Sequence, residues 1–279
     1  MRRIFTLCLL LAIFSGTKAQ EKNIAKITDS LVTEGRALYQ SEIASWYGTD
    51  AFVEKCKDKL ALSGGYLSYD TGDGETNIFF SKGDSPKILA TISFEKQFNA
   101  RVYKFDTTSR ALTKQENELV TIRQKALAEV NQDTIFKRYK NTDLNLIPVI
   151  SNRVKKVYIL TGPQQNGLVI LGNDYLLTFN DRNEIISKKR LHKGVFFFKK
   201  DPQNTAESAV HSHVTETGDF ITATDICTLM LYERSAGWKF HVVISANYVS
   251  SWNCERNQLV ILTKQAWENI AKSQTENKN

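Results

Sequence analysis

Ser208-Ala209-Val210-His211-Ser212-His213, followed after a short gap by Phe220-Ile221-Thr222-Ala223-Thr224-Asp225-Ile226, is the stretch on which the fold turns. Residues 208–213 read as a strand ending on two histidines. On a strand, positions i and i+2 project from one face, so both imidazoles can converge on one point. Thr222 to about Glu233 reads as a helix with Asp225 in its first turn. Imidazole with carboxylate is a donor set suited to zinc, and three protein ligands leave a fourth position for water. A plainer reading uses the same residues. Thr222-x-x-Asp225 is also a capping box, and the two histidines can be hydrogen-bonded strand residues without a metal.

Strands and a few helices mix on either side of this stretch without a regular βαβ repeat, which argues an α+β fold. Short strands are predicted at 154–161, 167–171, 174–179, 184–191 and 194–198, and again at 239–246 and 257–263, before a terminal helix near 265–272. Upstream, residues 23–45 carry apolar positions at helical spacing. Strands at 66–69 and 77–80 flank Asp70-Thr71-Gly72-Asp73-Gly74, an ordinary tight turn that lacks the later glutamate of a calcium loop. Thr113-x-x-Glu116 opens a second helix running to about Asn131. The stretch 132–152, with Pro148, reads as irregular and supplies the domain boundary. The expected organisation is a removable segment at 1–19, an N-terminal α+β domain over 20–150 and a C-terminal domain over 151–279.

The order H-x-H, the gap 214–221 and T-x-x-D resembles the JAMM metalloprotease family, whose motif has a gap one residue shorter and a serine in place of Thr222. The resemblance covers roughly residues 154–265. It implies a mixed-sheet domain that binds Zn²⁺ through His211, His213 and Asp225, with Thr222 donating to a developing oxyanion. It also implies hydrolysis of peptide or isopeptide-type amide bonds in a peptide or protein substrate. The family's general base is a glutamate further upstream. The corresponding stretch here is Pro163 to Gly172, with Gln164 at the glutamate position, and a glutamine cannot take a proton from water. Glu184 and Glu207 are the carboxylates that remain as candidate bases. Loss of the base equally fits a second reading, a non-catalytic binding or scaffold protein that keeps the fold. His192, beside Lys188-Lys189-Arg190, is expected to face solvent, and His241 to be a satisfied core residue.

Composition and ends narrow the classes. Arg2-Arg3, the apolar run Ile4–Phe14 and Ala19 before Gln20 form an export signal, which predicts a periplasmic or extracellular protein. No stretch is long and apolar enough for a stable membrane span. Without residues 1–19 the formal charge falls from +7 by the three cations Arg2, Arg3 and Lys18, to +4. The remaining basic residues alternate with acids, so nucleic acid is not an expected partner. Cys56, Cys227 and Cys254 remain after processing. They permit one bridge, for which Cys227 with Cys254 is the choice, or three free buried thiols.

Overall fold

In the computed structural model, the amphipathic run at 23–45 belongs to one long helix, α1 (Arg2–Lys55). Residues 2–199 and 207–276 are described, apart from the side chains of 2–21 and 275, so the expected cleavage point after Ala19 lies outside the described side chains. The chain then forms β1 (Ser63–Asp70), β2 (Glu75–Ser81), β3 (Ile88–Phe94) and β4 (Tyr103–Asp106), an antiparallel sheet in chain order. Helix α2 (Lys114–Gln132) follows, opened by the expected capping box at Thr113 and Glu116.

Strands β5 (Thr142–Ser151), β6 (Val154–Pro163), β8 (Tyr175–Phe179) and β9 (Ile185–Arg190) make a second antiparallel sheet. Strand β5 occupies much of the stretch that reads as irregular. Pro148 is tolerated there because β5 is an edge strand, where a missing N–H faces no partner. The β5–β6 hairpin runs from Thr142 paired with Pro163 to Ser151 paired with Val154, across the expected boundary at residue 150. Strand β7 (Leu168–Gly172) leaves this sheet to pair with β10 (Val195–Lys199).

The last sheet has the order β11 (Ser208–Ser212), β12 (Phe240–Ile244), β13 (Tyr248–Asn253) and β14 (Gln258–Thr263), and α4 (Lys264–Glu276) closes the described chain. Strands β11 and β12 run parallel, the one parallel pairing among the described strands. A parallel pair needs a crossover, and helix α3 (Ala223–Ala236) provides it. The fold is therefore α+β.

Helix α3 is the packing hub. Its Ile226 and Leu229 are fully buried against Val169 and Leu171 of β7 and against Val243 and Trp252 of the last sheet. Burying each such side chain contributes about 1.5–3 kcal/mol. Ile27 and Leu31 of α1 cover the same cluster from outside. The two helices approach so closely at Gly35 that a Cβ there would lie 2.6 Å from Ile226 Cγ2. Cys56, Cys227 and Cys254 are free and buried, so the Cys227–Cys254 bridge is not formed.

Candidate metal centre

Strand β11 alternates exposed and buried residues, with Ala209 and His211 inward and Val210 outward. His213, just beyond the strand, keeps the same phase because its N–H still donates to Ile244 O of β12 at 2.9 Å. The expected pair of imidazoles therefore converges, with His211 Nε2 and His213 Nε2 3.1 Å apart. Asp225 meets them from the first turn of α3. Its Oδ1 is 3.7 Å from His211 Nε2 and its Oδ2 is 3.6 Å from His213 Nε2.

A fourth group completes the cluster. His192 Nε2 lies 3.0 Å from Asp225 Oδ1, and His192, His211, His213 and Asp225 each offer one ligand atom within 4.8 Å of the others. All four residues are buried. His192 is 3% exposed, against the expectation that it faces solvent. The reason is local. Lys188, Lys189 and Arg190 do lie on the outer part of edge strand β9, but after Arg190 the chain turns inward. Leu191 N–H donates to Asp174 O, and Gly194 O accepts from Asn173 N–H, which folds residues 191–194 onto the end of β7. Gly172 makes that fold-back possible. It has φ +92°, and a Cβ there would sit 2.6 Å from Gly194 O and 3.4 Å from His192 Cβ.

Each imidazole turns its other nitrogen to a partner. His213 Nδ1 is 2.9 Å from Phe220 O, so it carries the proton and leaves Nε2 bare toward the cluster. His211 Nδ1 is 2.8 Å from His241 Nε2. His241 is thus a buried core residue, as expected, and the support for a histidine in the cluster. His192 Nδ1 faces Asp174 Oδ2 at 3.5 Å. Carbonyl and carboxylate partners of this kind orient metal-bound histidines and fix their tautomers.

The electrostatics favour neutral His211, His213 and His241 around an ionised Asp225, and favour the charged form of His192. Burial pushes His211 down to about 4 and His241 down to about 3, and lowers His213. Burial also disfavours the charged form of His192, but the carboxylates of Asp225 and Asp174 outweigh it and raise its pKa. For Asp225 burial is again outweighed, here by the surrounding imidazoles, and its pKa falls well below the usual carboxylate range. Burial raises Asp174 to about 6.

The expected capping box and the cluster coexist, because Asp225 divides its oxygens. Oδ2 accepts from Thr222 N–H at 2.9 Å and from the Thr222 hydroxyl at 2.8 Å, while Thr222 Oγ1 accepts from Asp225 N–H. Oδ1 has no hydrogen-bond partner among the described residues, and neither ring nitrogen of His192 has one. His192 Nε2 and Asp225 Oδ1 are at ion-pair distance, 3.0 Å, without the alignment of a good hydrogen bond. Four of the contacts among these groups, at 3.0–3.7 Å, are near the edge length of a metal's ligand shell. A tetrahedron with bonds of ~2.0–2.1 Å has edges of about 3.3–3.4 Å. Three imidazoles and a carboxylate could hold a metal ion here.

The other expected site residues lie elsewhere. The Thr222 hydroxyl is spent on the helix cap and on Thr224 Oγ1, so it is not a free oxyanion donor. Glu184 sits on the β8–β9 hairpin with 56% of its side chain exposed, accepting from Asn180 Nδ2. Glu207, 62% exposed, pairs with Lys239. Gln164 is on the surface, donating to Asp143. None of the three belongs to the buried cluster. Compared with known proteins, the chain matches no family model, no curated protein and no solved structure.

Proposed function

We propose that this protein is a JAMM-like zinc-binding protein whose centre is closed by four protein ligands and serves binding or scaffolding rather than hydrolysis. The observation that carries this reading is His192, which raises the candidate protein ligands to four, where a catalytic zinc keeps three and a water. The remote positions of Glu184, Glu207 and Gln164 support it, since a hydrolase needs a proton acceptor within reach of that water. Zinc is the metal because three imidazoles and a carboxylate suit it. When bound it would tie together the 191–194 loop, strand β11 and helix α3. His192, His211, His213 and Asp225 would hold it, and Asp174, His241 and Phe220 O would orient the rings. The export signal at residues 1–19 supports placement in the periplasm or outside the cell, tested by N-terminal sequencing for a Gln20 start.

The test is metal content of protein purified without chelator, with His192→Ala and His211→Ala beside it. About one zinc per chain is expected, lost to the same degree in both variants. Full zinc retention in His192→Ala would remove the fourth ligand and the reading with it.

One observation favours the hydrolytic reading. The His192 and His211 ring centroids are 6.2 Å apart, against 5.0 and 5.1 Å for the other ring pairs. If His192 left the metal and a water entered on that wide edge, hydrolysis of peptide or isopeptide-type bonds would become possible, with His192, backed by Asp174, as the proton acceptor. Cobalt substitution separates the two readings. A closed centre keeps its visible spectrum when azide or a hydroxamate is added, whereas an open one changes.

A further inference from the structure

Far from the histidines, helix α1, the β1–β2 hairpin, α2 and β5 enclose a cavity of about 260 Å³. Glu75, the first residue of β2, lines it, and also borders a smaller hollow of about 60 Å³ lined by Gln40, Glu95 and Phe98. The side chain is almost completely enclosed. Glu75 is 6% exposed and its Oε2 has no hydrogen-bond partner. Among the described residues no lysine, arginine or histidine forms an ion pair with it. Lys96 borders the smaller hollow without reaching it.

A second carboxylate stands beside the first. Asp70 pairs with Glu75 across the hairpin and lines both hollows. One of its oxygens, Oδ1, accepts from Gly72 N–H at 2.6 Å. Burial, with Asp70 adding to it, pushes Glu75 up to about 7. A buried carboxylate with no partner is costly, and such groups in folded proteins are normally satisfied. Here the residue with the unsatisfied oxygen lines empty space that a ligand can enter.

We propose that this cavity binds a small organic cation, an ammonium or guanidinium group carried on an apolar stem. The head would pair with Glu75 and Asp70. The stem would lie along Ala37, Leu119 and Val149, apolar walls that would be wasted on a bare metal ion. The described residues hold one group of metal-ligating side chains close enough to share an ion, and it is the histidine centre. The volume lies below the ~300–1,000 Å³ typical of drug-sized ligands, which sets the size of the guest. A free amine and a lysine or arginine side chain of a peptide share this chemistry.

The experiment is calorimetric titration of the full chain with cadaverine, agmatine, the neutral 1-pentanol, and short peptides containing one lysine or one arginine. Saturable binding of at least one cation and none of pentanol is expected. Glu75→Gln, close in shape to the native side chain, should weaken binding by about tenfold or more with an unchanged circular-dichroism spectrum. Asp70→Asn, at an exposed position, should weaken it as well and gives a second variant if Glu75→Gln does not fold. Tighter binding of a peptide than of the free amines would identify the source as a side chain. The reverse order would identify a free amine. No saturable binding of any cation, or equal affinity in the folded variants, overturns the proposal.

Discussion

The two oxygens of Asp225 face different partners, Oδ2 the Thr222 cap and His213 Nε2, Oδ1 the nitrogens of His192 and His211. Asp225→Asn should therefore keep helix α3, because an amide oxygen can still accept from Thr222, yet lose metal with the charge. Asp225→Ala should lose both, with about 1 kcal/mol for the cap. Metal content and thermal unfolding measured on both variants check this, and equal metal content in wild type and Asp225→Asn would count against a charged ligand. One step further out, Asp174 Oδ2 lies 3.5 Å from His192 Nδ1. Asp174→Asn should lower zinc affinity about 10–100-fold, read by competition with a chromophoric chelator. Three of the four cluster residues were legible in the sequence because they sit in one strand and the helix start that follows it. His192 was not. Its neighbours are three cations on an exposed edge strand, and what buries it is the fold-back over Gly172, a contact between segments about twenty residues apart that no local periodicity encodes.

Helix starts were the most legible elements, because a capping box is a local arrangement whose partners lie three residues apart. Both boxes, at Thr113 and at Thr222, are formed. Strand β5 was missed because Pro148 reads as a breaker, and only the sheet order shows that the strand lies on an edge. The α2 box carries a pH signature. Glu116 is fully buried, takes both Arg110 guanidinium nitrogens and the Tyr69 hydroxyl at 2.7 Å, and also accepts from Thr113 N–H. Burial alone would raise its pKa, but Arg110 and the other donors outweigh it and bring it to about 2. A folded pKa below the unfolded value means stability that is fully present above about pH 4.5 and lost as pH falls toward 2. The contribution is on the order of 2–3 kcal/mol. Wild type should therefore unfold at a higher temperature than Glu116→Gln at pH 6, and the gap should shrink steadily between pH 4.5 and 2. Glu42 and Glu75, both raised to about 7 by burial, lose stability in the opposite sense as pH rises toward 7. They are common to both proteins and cancel in the difference. A gap independent of pH would show that Glu116 acts by packing alone.

For the whole molecule, the cluster joins three segments that local interactions leave separate: the 191–194 loop, strand β11 and the start of α3. Around them lies the largest shared core, into which α1 also packs through Ile27 and Leu31. Without a metal this core encloses an ionised Asp225 beside His211 and His213, which burial holds neutral, and Asp225 Oδ1 and both ring nitrogens of His192 lack hydrogen bonds among the described residues. Unpaired buried polar atoms weaken a fold, and a metal that satisfies them binds the folded chain and not the unfolded one. Free zinc at one hundred times its dissociation constant should then add ~2.7 kcal/mol. For a chain of this size that is a rise in melting temperature of roughly 5–10 °C. Calorimetry on chelator-treated protein, before and after zinc is restored, should show the rise in wild type and none in His211→Ala. Because α1 and α3 share the core, a probe at Trp46, whose ring lies 5.6 Å from that of Tyr232 of α3 in a tilted contact, should report the same transition as far-ultraviolet circular dichroism. If zinc moved neither signal in wild type, the four buried side chains would be a satisfied polar core and not a metal centre.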